Sequence, residues 1–400
     1  MSLNQTPSGE RVHIGFFGRR NAGKSSVVNA VTGQDLAVVS DVKGTTTDPV
    51  RKAMELLPMG PVMITDTPGC DDEGALGALR VRRTRQELNR TDIAVLVTDA
   101  TQALTEEDRE LLTLFREKGL PHLLVRNKSD LLPAVPEAAL GEIYVSALTG
   151  AGIHELKERL ARLQKTGPQR HIIADKLSPG ALAVLVVPID KAAPKGRLIL
   201  PQQQTIRDIL DAGASALVVR DSELEQTLAS LGRTPDIVIT DSQVFGAVSK
   251  IVPREVPLTS FSILMARYKG LLEAAARGTE AAEQLRDGDR ILIAEGCTHH
   301  RQCGDIGSVK IPRWVEQFSG AKPVYTFTSG GEFPVDLSDY KLIIHCGGCM
   351  LNEKEMAHRM EIAEQAGVPM VNYGVAIAHI HGILRRSLEL FPDMLKLLDE

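Results

Sequence analysis

The sequence predicts an α/β protein in three parts, each built on a mainly parallel sheet. Three observations predict this. Apolar, β-branched runs such as "ALAVLVVPI" alternate with segments of helical spacing along the chain. Several of those runs end in chemically loaded turns, at the edge where open α/β sheets bind ligands. The 400 residues exceed what one core usually spans. The expected boundaries are 1–168, 172–265 and 270–400, with Thr166–Arg170 as a linker.

Composition narrows the function classes. Apolar residues make up 43% and charged residues 24%, ordinary globular values. The net charge of −5 gives no support for a nucleic-acid-binding surface. No apolar run approaches the about 18 residues of a membrane span. "MSLNQTPSGERVHIGFFG" lacks the apolar region of a signal peptide, so a cytoplasmic protein with no membrane partner is expected. Of the five cysteines, Cys70 stands apart, whereas Cys297, Cys303, Cys346 and Cys349 share the last quarter. A disulfide framework is not expected in the cytosol, so this clustering points to metal or redox chemistry.

The first part starts with the buried-strand pattern "RVHIGFFG", followed at once by "GRRNAGKSS". Gly18, Gly23, Lys24 and Ser25 satisfy G-x-x-x-x-G-K-S between a strand and the helix "SSVVNAVTG". In such a loop the amides of Asn21, Ala22, Gly23, Lys24, Ser25 and Ser26 cradle phosphates. Lys24 reaches the β- and γ-phosphates, and the Ser25 hydroxyl holds Mg²⁺. "VMITDTPG" is a strand ending in Asp66, for Mg²⁺, and Gly69, whose amide senses the γ-phosphate. "HLLVRNKSD" ends in Asn127, Lys128 and Asp130. The Asp130 carboxylate can accept from the N1–H and 2-amino group of guanine, a pair adenine cannot make. "IYVSALTG" brings the Ser146 and Ala147 backbone to the guanine O6. The ligand is therefore GTP or GDP rather than ATP. The expected class is α/β: a P-loop GTPase domain followed by two smaller α/β domains with mainly parallel sheets.

These motifs resemble the Era/MnmE-type group of small GTPases, and the activity expected is hydrolysis of GTP to GDP and phosphate. Cys70 stands where Ras-like enzymes carry the glutamine that orients water, so that mechanism is excluded. "VKGTTTDP" (Val42–Pro49) resembles the switch I of the MnmE type. The resemblance implies K⁺ in place of an arginine finger, with Asn21 and Thr45 as its ligands and Thr46 as a Mg²⁺ ligand. Lys24, Asn21 and Thr46 are then the catalytic candidates. "CDDEG" (Cys70–Gly74) offers carboxylates that could position water.

In the middle part, "ALAVLVVPI", "ASALVVR" and "PDIVITD" read as strands. "QQQTIRDILDAG", stopped by Gly213, and "DSELEQTLASLG" read as helices, and "SQVFGAVSK" repeats the pattern. No cysteine and no catalytic constellation is present; Asp190 and Lys191 read as a solvated loop. A module with a core but no chemistry suggests assembly, here as a homodimer or higher oligomer.

In the last part, "RILIAEGCTHH" is a strand (Arg290–Ala294) running into Cys297, His299 and His300. "KPVYTFT" is another strand, and "YKLIIHCGGCM" a third (Lys341–Ile344), running into His345, Cys346 and Cys349. The helix "NEKEMAHRMEIAEQAG" follows, then "VPMVNYG" and "AIAHIHGILRRSLELF". Two distant ligand clusters thus follow carboxyl ends of strands and can converge. The helix N-terminus after Cys349 favours thiolates or an anionic cluster. A Cys₃His zinc site and an iron–sulfur site fit this list equally well. The Gly-Gly between Cys346 and Cys349 eases close backbone approach and N–H···S bonds. His13, His122, His358, His379 and His381 read as structural or helix-surface residues.

C-x-H, then 45 residues, then H-C-x-x-C resembles the pattern of the [FeFe]-hydrogenase maturation GTPases, the HydF family. The likeness extends over the whole chain. It implies a dimerisation domain at 172–265 and an iron–sulfur cluster-binding domain at 270–400. It implies a [4Fe-4S] cluster on Cys297, Cys346 and Cys349, with His299 or His345 as candidate fourth ligand and Cys303 outside the pattern. It further implies a scaffold that carries a transient di-iron subcluster from the radical-SAM maturases HydE and HydG to the apo-[FeFe]-hydrogenase HydA. The competing expectation is a ribosome- or tRNA-associated Era/MnmE-like GTPase with a structural zinc site. That reading requires RNA binding with a steep salt dependence, against which the acidic balance stands. A regulatory switch with a redox-sensing end is a third.

Overall fold

The computed structural model describes residues 6–33, 50–67, 84–164, 170–189, 198–297 and 305–398. It divides into two compact units, 1–168 and 169–400.

The first unit is built on a six-stranded sheet in the order β2-β3-β1-β4-β5-β6. The strands are β1 (Val12–Phe17), β2 (Val50–Leu56), β3 (Gly60–Asp66), β4 (Ile93–Asp99), β5 (His122–Asn127) and β6 (Glu142–Tyr144). Only β2 runs antiparallel, against β3. β1, β4 and β5 are covered on both faces, which is why they read as unbroken apolar runs. Burying each large aliphatic of β4, Ile93 through Val97, contributes about 1.5–3 kcal/mol. Its helices include α1 (Lys24–Thr32), α2 (Glu106–Glu117) and α3 (Ile153–Leu163). A capping box between Thr105 and Asp108 starts α2, and Leu111, Leu112 and Phe115 form its buried face.

The second unit holds two four-stranded sheets, ordered β10-β9-β7-β8 and β12-β11-β13-β14, all parallel. The first comprises β7 (Leu182–Val186), β8 (Ser215–Val219), β9 (Ile237–Thr240) and β10 (Leu258–Ser260). The second comprises β11 (Arg290–Glu295), β12 (Val324–Ser329), β13 (Tyr340–His345) and β14 (Met370–Asn372). One apolar cluster runs through both, from Val184 and Ile239 to Ile343 and Val375. The seam is helix α4 (Phe261–Tyr268), started by the Ser260 hydroxyl accepting from the Ile263 amide. Its Ile263, Leu264 and Met265 are fully buried. Its Ser262 carbonyl accepts from Asn372 Nδ2 at 2.8 Å, and the Ser262 hydroxyl accepts from the Gly374 amide at 3.0 Å. Helix α5 (Glu353–Gln365) follows β13, with Asn352 as its cap.

The expected strands and helices are present, with shifted ends. The strand expected at 341–344 runs from Tyr340 to His345, so His345 belongs to the strand and not to the turn after it. Sequence patterning passes over β2, β4, β10, α2, α3, α4 and the helix Ile311–Ser319. β10 has three residues, too few to show a period, and the exposed edge strand β2 carries the charged Arg51, Lys52 and Glu55.

Candidate functional site

The first site lies at the carboxyl ends of β1, β3 and β5. Gly18 has φ +134°, and a Cβ there would stand 2.2 Å from the Val97 carbonyl oxygen. Gly23 has φ +84°, and its Cβ would stand 2.3 Å from Asn127 Nδ2. Both positions therefore require glycine. Asn21 is left-handed at φ +60°, a conformation asparagine tolerates. Gly23 caps α1 without any side-chain hydrogen bond, so the first-turn amides, including those of Ser25 and Ser26, face an anion site. Lys24 is buried, and its Nζ donates to the Arg19 carbonyl at 3.0 Å, arching back over the loop.

Ser25 Oγ donates to Asp66 Oδ2 at 2.6 Å. The other oxygen, Asp66 Oδ1, is buried with no hydrogen-bond partner among the described residues. Burial pushes the Asp66 carboxyl up; the Ser25 hydrogen bond and the Lys24 charge oppose it. A hydroxyl beside an orphaned carboxylate oxygen fits a divalent cation, which would satisfy that oxygen and hold the carboxylate ionised.

The base end is equally ordered. Asn127 is buried; its Nδ2 donates to the Ala22 carbonyl at 3.0 Å and its Oδ1 accepts from the Ala147 amide at 3.1 Å. It ties the phosphate loop to the base loop. Lys128, left-handed at φ +65°, pairs with Asp99 at 2.6 Å, a partner that sequence patterning missed. The Ser146 hydroxyl donates to Asp130 Oδ1 at 2.5 Å, turning that carboxylate toward a base. Asp130→Asn replaces an acceptor by a donor facing the guanine N1–H. It is expected to weaken GTP binding by about 2–4 kcal/mol while favouring xanthine nucleotides, measured by competition binding. Thr45, Thr46, Gly69 and Cys70 lie outside the described residues, as do residues 42–49 and 70–74.

The second site lies at the carboxyl ends of β11 and β13, which are neighbours with Ala294 opposite His345. The Cys346 amide donates to the Ala294 carbonyl at 2.9 Å. Cys346 Sγ accepts from the Gly296 amide at 3.0 Å and from the Gly348 amide at 3.4 Å. So the segment entering Cys297 and the turn carrying Cys346 and Cys349 meet. Gly348 has φ +65°, and a Cβ there would stand 2.8 Å from Met356 Sδ. Burial raises the Cys346 thiol against its two amide donors. Cys349 is pushed up to about 12 by burial and by Cys346 beside it. Among the described residues no three His, Cys, Asp or Glu side chains stand at metal-ligating spacing. The fold thus brings the two segments together without gathering the three sulfurs. Amide donors aimed at a sulfur fit a thiolate-bound cluster, which spreads the charge that a lone buried thiolate cannot. His299, His300 and Cys303 lie outside the described residues, as do Asp190 and Lys191.

His345, a candidate fourth ligand, closes β13. It is fully buried, with Nδ1 2.7 Å from the Cys346 carbonyl and Nε2 3.0 Å from Arg359 Nη1. Arg359 donates to Nε2, so Nδ1 carries the proton and donates to the carbonyl. Both ring nitrogens are hydrogen-bonded within the protein. Burial and Arg359 lower its pKa to about 3. Arg359, itself fully buried, also donates to Glu355 Oε1 at 2.9 Å and to the Gly330 carbonyl at 2.7 Å. Removing it strands Glu355, His345 and a carbonyl together. Arg359→Ala is expected to lower unfolding stability by about 3–5 kcal/mol in denaturant titration. The contact between His345 and Arg359 is invisible in sequence because the two sit on different elements, β13 and α5. Of the other histidines, His122 Nδ1 lies 2.8 Å from the Leu120 carbonyl, His13 Nε2 2.9 Å from the Ser8 carbonyl, and His379 and His381 pack edge-on to Phe318 and Trp314.

The family model for the "Hydrogen maturase F dimerization domain" matches residues 172–270, and that for the "Hydrogen maturase F tetramerization domain" matches 273–390. Together they cover more than half of the chain. The chain belongs to the hydrogen maturase F (HydF) family. A third model, "50S ribosome-binding GTPase", matches residues 13–128. This HydF-family chain thus joins a GTPase domain, the class that binds GTP or GDP with Mg²⁺, to the two domains of a hydrogenase maturase family. The two maturase models make the second unit a homo-oligomerisation region. The tetramerization match contains the whole Cys346–Cys349 turn.

The GTPase relatives are more distant. The tRNA modification GTPase MnmE of Nitrosospira multiformis is 35% identical over 161 residues, 38% of this chain and 35% of that protein. MnmE of Aquifex aeolicus is 36% identical over 162 residues, 40% of this chain and 35% of that protein. The chain therefore spans about a third of the length of the curated relatives it matches. Among solved structures, Aquifex aeolicus Era aligns at TM-score 0.36 and 19% identity, covering 52% of this chain and 92% of that one. Among the described residues no helix is long and apolar enough to cross a membrane.

Proposed function

We propose that this HydF-family GTPase is a scaffold and carrier. It holds a [4Fe-4S] cluster on Cys297, Cys346 and Cys349 and delivers a di-iron precursor to apo-[FeFe]-hydrogenase. The observation that carries the reading is the Gly296 amide donating to Cys346 Sγ at 3.0 Å, which brings two cysteine segments 50 residues apart to one sheet edge. Three thiolates leave one iron position without a fixed thiolate, which suits a site that accepts and releases a ligand. With both ring nitrogens of His345 engaged, His299 is the remaining histidine candidate for that position. In this reading the precursor comes from the radical-SAM maturases HydE and HydG, and HydA receives it, in the cytoplasm. The test is transfer: loaded protein mixed with apo-hydrogenase should generate hydrogen evolution, and protein lacking Cys297 should not.

GTP hydrolysis in this reading needs K⁺. The left-handed Asn21 sits in the phosphate loop where, with Thr45, it would hold the ion beside the β- and γ-phosphates. Replacing K⁺ by Na⁺ is expected to slow turnover about tenfold or more, short of the ~10³–10⁵ of an arginine finger. Asn21→Ala should abolish the difference between the two ions in a phosphate-release assay. The nucleotide state is read by residues 42–49 and those after Asp66, which set partner affinity. Equal affinity of GTP- and GDP-bound protein for its partners contradicts that coupling.

A further inference from the structure

The sheet that carries the cysteine turn has two unlike edges. Its edge β14 has three residues, all buried. Its other edge, β12, has six residues and none is buried. Among the described residues no strand pairs with β12 on its outer side. β12 reads Val-Tyr-Thr-Phe-Thr-Ser, all β-branched, aromatic or hydroxyl side chains, without a charge or a proline. Natural proteins blunt an open edge with charge, proline, a bulge or brevity. In the first unit, edge β2 carries Arg51, Lys52 and Glu55, and edge β6 has three residues. β12 uses none of these devices, and its register on β11 runs without a bulge from Val324 to Ser329.

The side chains and backbone of β12 suit a partner strand. The Val324 amide donates inward to the Asp289 carbonyl at 2.8 Å. Backbone groups alternate sides along a strand, so the Tyr325 amide and carbonyl point to the outer edge. The Tyr325 and Phe327 rings, stacked at 6.4 Å, are only partly covered by the core they pack on. Partly covered aromatic rings are what the core of an interface uses. The tetramerization match, residues 273–390, contains the whole strand, which makes the occupant another copy of this chain.

We propose that β12 is a self-pairing edge: the β12 strands of two copies lie side by side and join their two four-stranded sheets into one. A two-fold axis reverses the partner's direction, so the pairing is antiparallel. The same patch serves both copies, and the contact closes on itself. Together with a second two-fold contact within residues 172–270, matched by the dimerization model, it completes a dimer of dimers. None of this depends on the iron reading above.

The test is light scattering of the full-length protein, with circular dichroism on the same samples. Wild type is expected to assemble as four chains, and Thr326→Lys as two, because the partner strand lays a second lysine near the first. Thr326→Glu is expected to behave likewise. A 1:1 mixture of the two variants should regain four chains, with assembly about tenfold tighter than in either alone. Where the Thr326 variants lose the native circular dichroism, the same lysine and glutamate exchange at Val324, 52% exposed, takes their place. Four chains in both natively folded single variants overturn the proposal. So does a mixture that stays at two chains, or wild type that stays at two chains across the concentration range.

Discussion

Lys24→Ala is expected to lower GTP turnover by about 10²–10³-fold, the scale seen when one preorganised charge on a developing anion is removed. The Lys24 ammonium is buried and held within the phosphate loop by the Arg19 carbonyl at 3.0 Å. A nucleotide's β- and γ-phosphates replace that carbonyl as its partners, and negative charge grows there as the terminal phosphoryl group leaves. Truncation removes the charge and leaves the loop's glycine conformations unchanged, so the fold should persist. Single-turnover phosphate release alongside nucleotide binding separates the two effects. The loss should fall on the chemical step as well as on affinity. Unaltered turnover would show that the charge is not where the reaction needs it.

Cys346→Ser is expected to reduce bound iron to near background. The Gly296 and Gly348 amides both donate to Cys346 Sγ. Serine is smaller, and its hydroxyl does not give a soft ligand for iron at neutral pH. One iron would lose its protein ligand, and the amides that shape the turn would lose the large acceptor they surround. GTP turnover should remain, because the phosphate loop belongs to the other compact unit. Iron analysis and phosphate release on one preparation check both halves, and a fully loaded serine variant would remove Cys346 from the ligand set.

Much of the first unit was legible because each motif is a local string at a strand end. Gly18–Ser25, Asp66 and Asn127–Asp130 announce themselves without any neighbour. The unit's less visible parts are pairings across space, such as Lys128 with Asp99 or Asn127 with Ala22 and Ala147. The cysteine site was legible as two segments, since both follow apolar strands. What the sequence could not show is how His345 is used. One residue of strand extension makes it a buried residue held by Arg359, 14 positions on. Helix α4 lacks a clear apolar stripe, since one compact core encloses nearly all of it.

The central claim is that the turn at 346–349 and the segment ending at Cys297 together hold iron and sulfide. The measurement that tests it most directly is EPR of the reduced, anaerobically prepared protein, with iron and acid-labile sulfide determined on the same sample. The account predicts about four iron and about four sulfide per chain and a cluster signal, both lost in Cys297→Ser. A colourless protein carrying stoichiometric zinc, even after anaerobic reconstitution with iron and sulfide, would contradict it.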